Sequence, residues 1–337
     1  MVLLKQLNGM NQINNILVTG GAGFIGSHFV KRLIDKGYNV TVIDNLERGK
    51  LEFLPNNINF YNLDLRDYNS IKDIFKNQDC VIHLASKVGG IGTYMSKPYD
   101  VMSSNITIDS NVLKAVIEHN ITKYFYASSA HIYPKSLQTT KDSPLIHESQ
   151  AYPADPELSY GWAKLIGELS VQAAIKEHSF LNVAIARFIG IYGPDQDFEL
   201  KTGSVIPVFS HRAIKYPEID FNVWGTGEET RSYCYIEDTL DCMELMVNKM
   251  NEINLVGPLN VGKEERVSIA EIAEIIIKTS GKDIKVDYDT TKNTVIWGQW
   301  CDCKEAKNLL GWEAKTTLEE GIKNVYNNIE NKINELK

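Results

Sequence analysis

Apolar positions along the chain switch between continuous short runs and helical spacing. Ile16-Leu17-Val18 is such a run; beyond a glycine-rich gap the apolar positions return at Phe29, Leu33 and Ile34, which predicts a strand followed by a helix. Val40-Thr41-Val42-Ile43 reads as a second strand ending at Asp44, and Ile58 to Tyr61 as a short third one. A helix carrying Ile71, Ile74 and Phe75 leads into Cys80-Val81-Ile82-His83-Leu84-Ala85. That stretch is apolar from Val81 to Leu84 except at His83, as a strand covered on both faces requires. A long helical pattern over 98–119, a strand at Tyr124–Ala127, a helix over 157–177 and a strand at Leu181–Phe188 continue the alternation. Regular strand–helix alternation predicts an α/β fold built on a doubly wound parallel sheet.

Past Arg187 the pattern loosens. Gly190 to Pro194 punctuates the chain, a helix is expected around 204–216, and short strands follow Trp224-Gly225-Thr226-Gly227. Ser268-Ile269-Ala270-Glu271 is a capping box opening a helix to Lys278, and 317–334 is a charged amphipathic helix. The expected organisation is a disordered extension over 1–14, a main domain over 15–188 and a smaller α/β lobe over 189–337. Some lobe segments should return to the main domain.

With 337 residues the chain is long enough for one large domain plus a lobe, or for two domains. Its net charge of −8, with Lys and Arg scattered, argues against nucleic acid or an anionic membrane as partner. An anionic ligand would have to be held by backbone N–H groups and single arginines. The five cysteines share no spacing beyond one Cys-x-Cys, so neither a metal site nor a disulfide framework is expected. Reduced thiols in a cytoplasmic protein are the expectation. No run of about eighteen apolar residues suggests a membrane span, and the first residues lack the apolar core of a signal peptide.

Candidate chemistry begins in the first gap. Gly20, Gly23 and Gly26 are spaced for a tight turn, a close backbone approach to a diphosphate and close helix–strand contact. The diphosphate would rest on the helix N-terminus, and Asp44 would accept from the ribose hydroxyls of an adenine dinucleotide. Asp44 is followed by Asn45 rather than a basic residue, which selects NAD over NADP. The fold expected is therefore of Rossmann type. The loop Ser86-Lys87-Val88-Gly89-Gly90-Ile91-Gly92 also lies at a strand's C-terminal end, where such sheets bind ligands. Tyr160 and Lys164 stand four apart on one helical face, so the ammonium is expected to draw the phenol pKa down from about 10 towards working pH. Ser129, ending the neighbouring strand, would donate to the same substrate oxygen.

These stretches, with Ser128–Pro134, Arg187-Phe188, Ile191–Pro194 and Trp224 through Ser232, resemble the extended short-chain dehydrogenase/reductases acting on nucleotide sugars, over roughly residues 15–330. Within that superfamily the chain is most similar to the GDP-mannose 3,5-epimerases and GDP-fucose synthases. The resemblance implies Gly20, Gly23, Phe24 and Ile25 on the diphosphate, Asp44 on the ribose and Asp64-Leu65 at the adenine. It also implies Ala85, Lys87 and Asn105 along the cofactor, and Arg231 on the sugar-nucleotide diphosphate.

The departures from the pattern shape the functional expectation. Where both relatives carry an acid/base cysteine this chain has His131; where the epimerase has a second proton carrier it has Val205, and where the synthase has a histidine it has Ser204. Ala130-His131 cannot supply the Asp-Glu pair of a dehydratase. His131 reads equally as a base with a pKa near neutrality or as a hydrogen-bonded pocket residue. The expected activity is NAD-dependent oxidation at C4 of a GDP-linked hexose or heptose, with Ser129, Tyr160, Lys164 and His131 as catalytic candidates. Gly89, Gly90 and Arg231 are substrate-side candidates. An epimerase working through a 4-keto intermediate is the alternative, and a dinucleotide-binding redox sensor the non-enzymatic one. A homodimer is expected through helices 98–119 and 157–177, on apolar positions such as Val101, Leu165 and Val171.

Overall fold

A computed structural model describes residues 13–89, 91–292 and 296–335. Among them, seven strands form one parallel sheet: β1 (Asn15–Thr19), β2 (Asn39–Asp44), β3 (Asn59–Asn62), β4 (Cys80–His83), β5 (Lys123–Ser129), β6 (Asn182–Phe188) and β7 (Leu255–Val261). Their order is β7-β6-β5-β4-β1-β2-β3, every pairing parallel. The order reverses between β4 and β1, and a crevice at such a switch point is where an open parallel sheet binds ligands.

The two-residue strand period divides the sheet's side chains between two cores. Val18, Ile82 and Phe125 belong to one, together with α1 (Phe24–Asp35). Leu17, Val81 and Tyr124 belong to the other, beneath α2 (Pro98–Glu118) and α3 (Ser159–Glu177). The lobe has a third core from α4 (Val205–Lys215), α6 (Ile269–Ser280) and α7 (Leu318–Glu335). Ser268 caps α6 through the reciprocal bonds of a capping box. Between α4 and α6 the chain goes back to the large sheet: α5 (Ile236–Lys249) supplies Leu240, Met243 and Met246 to the first core, and β7 adds the seventh strand.

Two expectations change. Of the extension read over 1–14, residues 1–12 lie outside the described residues, but Ile13 packs on the first core and the Asn14 amide donates to Asp79 Oδ2 at 2.9 Å. Val101, Leu165 and Val171 are not spare for a dimer face, because all three are buried inside this chain. The large exposed apolar side chains on α2 and α3 are Tyr99, Trp162 and Leu169.

Candidate active site

The glycine loop after β1 has the shape a diphosphate needs. Gly20 takes a φ of +70°, and a Cβ there would fall 2.7 Å from the Ala85 nitrogen, so the loops after β1 and β4 can approach only because position 20 has no side chain. Helix α1 opens at Gly23 with no side-chain cap. The amides of Phe24 and Ile25 therefore have no acceptor within the helix and are available to an anion. Asp44 ends β2 buried, with Oδ2 accepting from the Ala22 amide at 3.0 Å and Oδ1 from the Leu46 amide at 2.8 Å. Each oxygen keeps a lone pair for a ribose hydroxyl.

The nearby guanidinium groups are engaged elsewhere: Arg48 with Asp197 and the Val88 carbonyl, Arg66 with Asp64. That pairing holds Asp64 at about 2. Neither arginine is turned to a 2′-phosphate beside Asp44. Asn45 also favours the ionised Asp64, and Leu65 is buried in the second core. These features fit an adenine dinucleotide without the extra phosphate.

After β4, Asn105 spends its amide on the loop and on its own helix. Its Oδ1 accepts from Ser86 Oγ and the Lys87 amide, both at 2.7 Å, while Nδ2 donates to the Lys87 and Val101 carbonyls. Its part is thus to fix Ser86 and Lys87. Lys87 lies between Glu47 and Asp100 at 3.3 and 3.1 Å. Gly89 donates to the Tyr94 hydroxyl at 3.3 Å, and Gly90 lies outside the described residues.

Ser129, His131 and Tyr160 come together where α3 abuts the turn after β5. A Cβ at Gly161 would fall 2.0 Å from the His131 carbonyl oxygen, so this glycine lets the helix carrying Tyr160 come close. Ser129 Oγ accepts from the His131 amide at 3.2 Å. The Tyr160 ring lies face to face with Tyr94 at 5.3 Å and edge-on to His131 at 5.8 Å. Its hydroxyl faces Ser86 and Ser129, both of which favour the phenolate.

The electrostatics depart from two sequence expectations. Burial pushes the Tyr160 phenol up to about 12, and the nearby Ser86 and Ser129 hydroxyls only partly oppose this. Lys164 does not draw the phenol down here because its ammonium faces Asp109, 3.8 Å away. His131 is lowered to about 4 rather than lying near neutrality, first by burial and then by the Arg231 guanidinium. It is therefore a neutral ring and a weak base. Arg231, which exerts that effect, is itself held by the carbonyls of Thr230 and Ile296 at 2.8 and 2.7 Å.

Val205 packs with the lobe core and Ser204 is exposed. Sequence reasoning missed Ser86, Tyr94 and Asp109. Ser86 stood in a loop already marked as ligand-binding, whereas Tyr94 and Asp109 carry no local signal.

A dinucleotide cradle beside a serine and a tyrosine brought side by side, with a lysine one turn along the helix, defines an oxidoreductase-type site of the extended short-chain class. The chain belongs to the NAD-dependent epimerase/dehydratase family, whose profile matches residues 16–262, and NAD is its cofactor. GDP-mannose 3,5-epimerase of Arabidopsis thaliana is 31% identical over 316 residues, covering 92% of this chain and 81% of the plant protein. UDP-N-acetyl-alpha-D-glucosaminuronate decarboxylase of Bacillus cytotoxicus is 29% identical over 321 residues, covering 91% and 95%. The structure of Thermotoga maritima UDP-glucose 4-epimerase with UDP-glucose matches with a TM-score of 0.84 at 28% identity, covering 95% of this chain and 99% of that one. This chain is an enzyme of that family.

Proposed function

We propose that the chain oxidises C4 of a GDP-linked, manno-configured hexose or heptose to the 4-keto sugar nucleotide, for surface-glycan synthesis in the cytoplasm. Bound NAD supplies the hydride acceptor. Tyr160, as phenolate, takes the C4 hydroxyl proton, and Ser129 donates to the same oxygen. Arg231 meets the sugar-nucleotide diphosphate, and Gly89 borders the sugar. Similarity to GDP-mannose 3,5-epimerase supports the guanine nucleotide, and mass spectrometry of small molecules released from the purified protein tests it.

The observation carrying this reading is the want of a second proton carrier. A C4 ketone acidifies C3–H and C5–H, but inversion requires one group to remove the proton and another to return one on the opposite face. His131 is a weak base at about 4, and position 205 is a valine packed in the lobe. Incubation with the sugar nucleotide in heavy water is expected to accumulate reduced cofactor and 4-keto product with no deuterium at C3 or C5. Deuterium there together with an inverted product would overturn the reading.

A second reading is favoured by the likeness to UDP-glucose 4-epimerase: the same residues invert C4 if the ketone turns over in the site before hydride returns. A C4 epimer without deuterium and without net reduced cofactor would identify it.

The assembly we infer is a homodimer through α2 and α3, covering Tyr99, Trp162 and Leu169. Tyr99 is 84% exposed in the single chain, and sedimentation showing only monomer at micromolar concentration would count against the dimer.

A further inference from the structure

His83 is the polar break in an otherwise apolar strand, and nothing above gives it a task. Strand register does. Thr19 in β1 pairs with His83 in β4, and His83 pairs with Tyr126 in β5. The two-residue period puts all three on the sheet face covered by α2 and α3, at its C-terminal end. Their polar atoms converge on Asp109, which α2 lowers into this layer.

His83 Nε2 lies 3.0 Å from Asp109 Oδ1, and its Nδ1 lies 2.6 Å from Thr19 Oγ1. Burial keeps the imidazole neutral. This network assigns the tautomer in which Nε2–H donates to the carboxylate and Nδ1 accepts from threonine. The Tyr126 hydroxyl donates to Asp109 Oδ2 at 2.6 Å. The carboxylate thus accepts from two neutral donors and keeps its charge, which no donor's charge cancels.

The remaining neighbour is Lys164. The groups that face it are Asp109 from α2, His83 from β4, Tyr126 from β5, whose ring centre is 4.9 Å from its ammonium, and Glu168 one turn along its own helix. Glu168 is taken by Arg187, its Oε2 accepting at 2.8 Å. Lysine and Asp109 are 2% and 6% exposed, so water does not screen the pair. Gly167 in α3 leaves the space for this arrangement, since a Cβ there would fall 1.9 Å from the Tyr126 hydroxyl and 2.9 Å from Asp109 Oδ2.

We propose that Asp109 is a positioning residue for the redox step, holding the Lys164 ammonium charged and in place behind Tyr160, with Thr19, His83 and Tyr126 fixing the carboxylate. The inference rests on Tyr160 and Lys164 serving the redox step together, but not on which sugar is oxidised. Lys164 is too deeply buried to hold its charge readily, and Asp109 is the strongest influence that opposes this. Without that carboxylate the lysine loses its proton at lower pH.

The test is a pH titration of Lys164 in the NAD-loaded enzyme, read from the NMR shifts of isotope-labelled lysine side chains, with the Lys164→Met spectrum identifying its signal. Asp109→Asn is expected to lower the Lys164 midpoint, on the order of one unit, and Asp109→Glu to restore it. A midpoint that rises or stays put overturns the proposal. No sugar is present, so failure of the C4 reading leaves this measurement intact. If Asp109→Asn folds poorly, the D109N/K164M double variant should be the more stable of the two, because it leaves no unpaired buried charge. A double variant no more stable than Asp109→Asn alone also overturns it.

Discussion

Tyr160→Phe is expected to lower the rate of sugar-nucleotide oxidation by about 10²- to 10⁴-fold, the range that a well-placed general base contributes. The substitution removes one oxygen and keeps the ring, which stays between Tyr94 and His131. Stability should change by no more than about 1 kcal/mol, since Ser86 retains Asn105 and Ser129 retains the His131 amide as partners. NAD binding should be nearly unchanged. In the unsubstituted enzyme the rate should climb with pH, because burial pushes the phenol up to about 12 and the phenolate fraction grows about tenfold per unit below that value. The residual rate of the variant should lack this dependence. Unfolding does not mimic the effect: a phenol raised on folding from about 10 gives a stability contribution fully present below pH 10 and lost only as pH rises towards the folded value. Reduced-nicotinamide absorbance followed between pH 6 and 9, with about 1 kcal/mol resolution in a parallel denaturant series, checks both halves. A variant retaining more than about a tenth of the rate would remove Tyr160 from the role of base.

The parts of this site that were legible in the sequence are those whose signal is local. Gly20, Gly23, Phe24, Ile25 and Asp44 sit in one strand–loop–helix–strand unit, and each is constrained by its chain neighbours. Tyr160 and Lys164 share a helical face, and Ser129 ends a visible strand. What was not legible depends on register and on which helix crosses which strand. Asp109 reads in sequence as a polar position within an amphipathic helix, yet it is the nearest anion to Lys164. The four-residue spacing of Tyr160 and Lys164 said nothing about that third partner, so the expected fall in the phenol pKa had the wrong sign for this arrangement. His131 departs for a similar reason. A histidine's ordinary value is a property of the solvated ring, and the Arg231 that lowers it beyond the effect of burial stands a hundred positions downstream. Val101, Leu165 and Val171 show the same limit from the apolar side, because a second core face for α2 and α3 was needed before they could be recognised as internal.

Arg187 extends this reasoning to stability, where the second large effect is expected. It interrupts the apolar strand β6, and its partner Glu168 lies four residues beyond Lys164 on α3. Arg187 Nε donates to Glu168 Oε1 at 3.0 Å and Nη2 to Oε2 at 2.8 Å, a two-pronged pair buried from solvent. Nη1 donates to the Tyr133 hydroxyl and to the Glu148 carbonyl at 3.1 and 2.7 Å. Ser128 donates to the same carboxylate, and Tyr133 donates to Asn260 in β7. Burial works against the guanidinium charge, but the bonds and attraction of Glu168 outweigh it and raise the pKa. The pair thus ties β5, β6, β7 and α3 together one residue before Ser129. Arg187→Met should destabilise the protein by about 3–5 kcal/mol, because it strands a carboxylate that is almost wholly buried and leaves Tyr133 and the Glu148 carbonyl short of a donor. Adding Glu168→Met should recover a large part of that loss, since the stranded charge disappears with it. Chemical denaturation of the two single variants and the double variant measures the coupling. If Arg187→Met costs less than about 1 kcal/mol, or the double variant loses the sum of the single effects, the pair is not the tie that holds Ser129's strand to its helix.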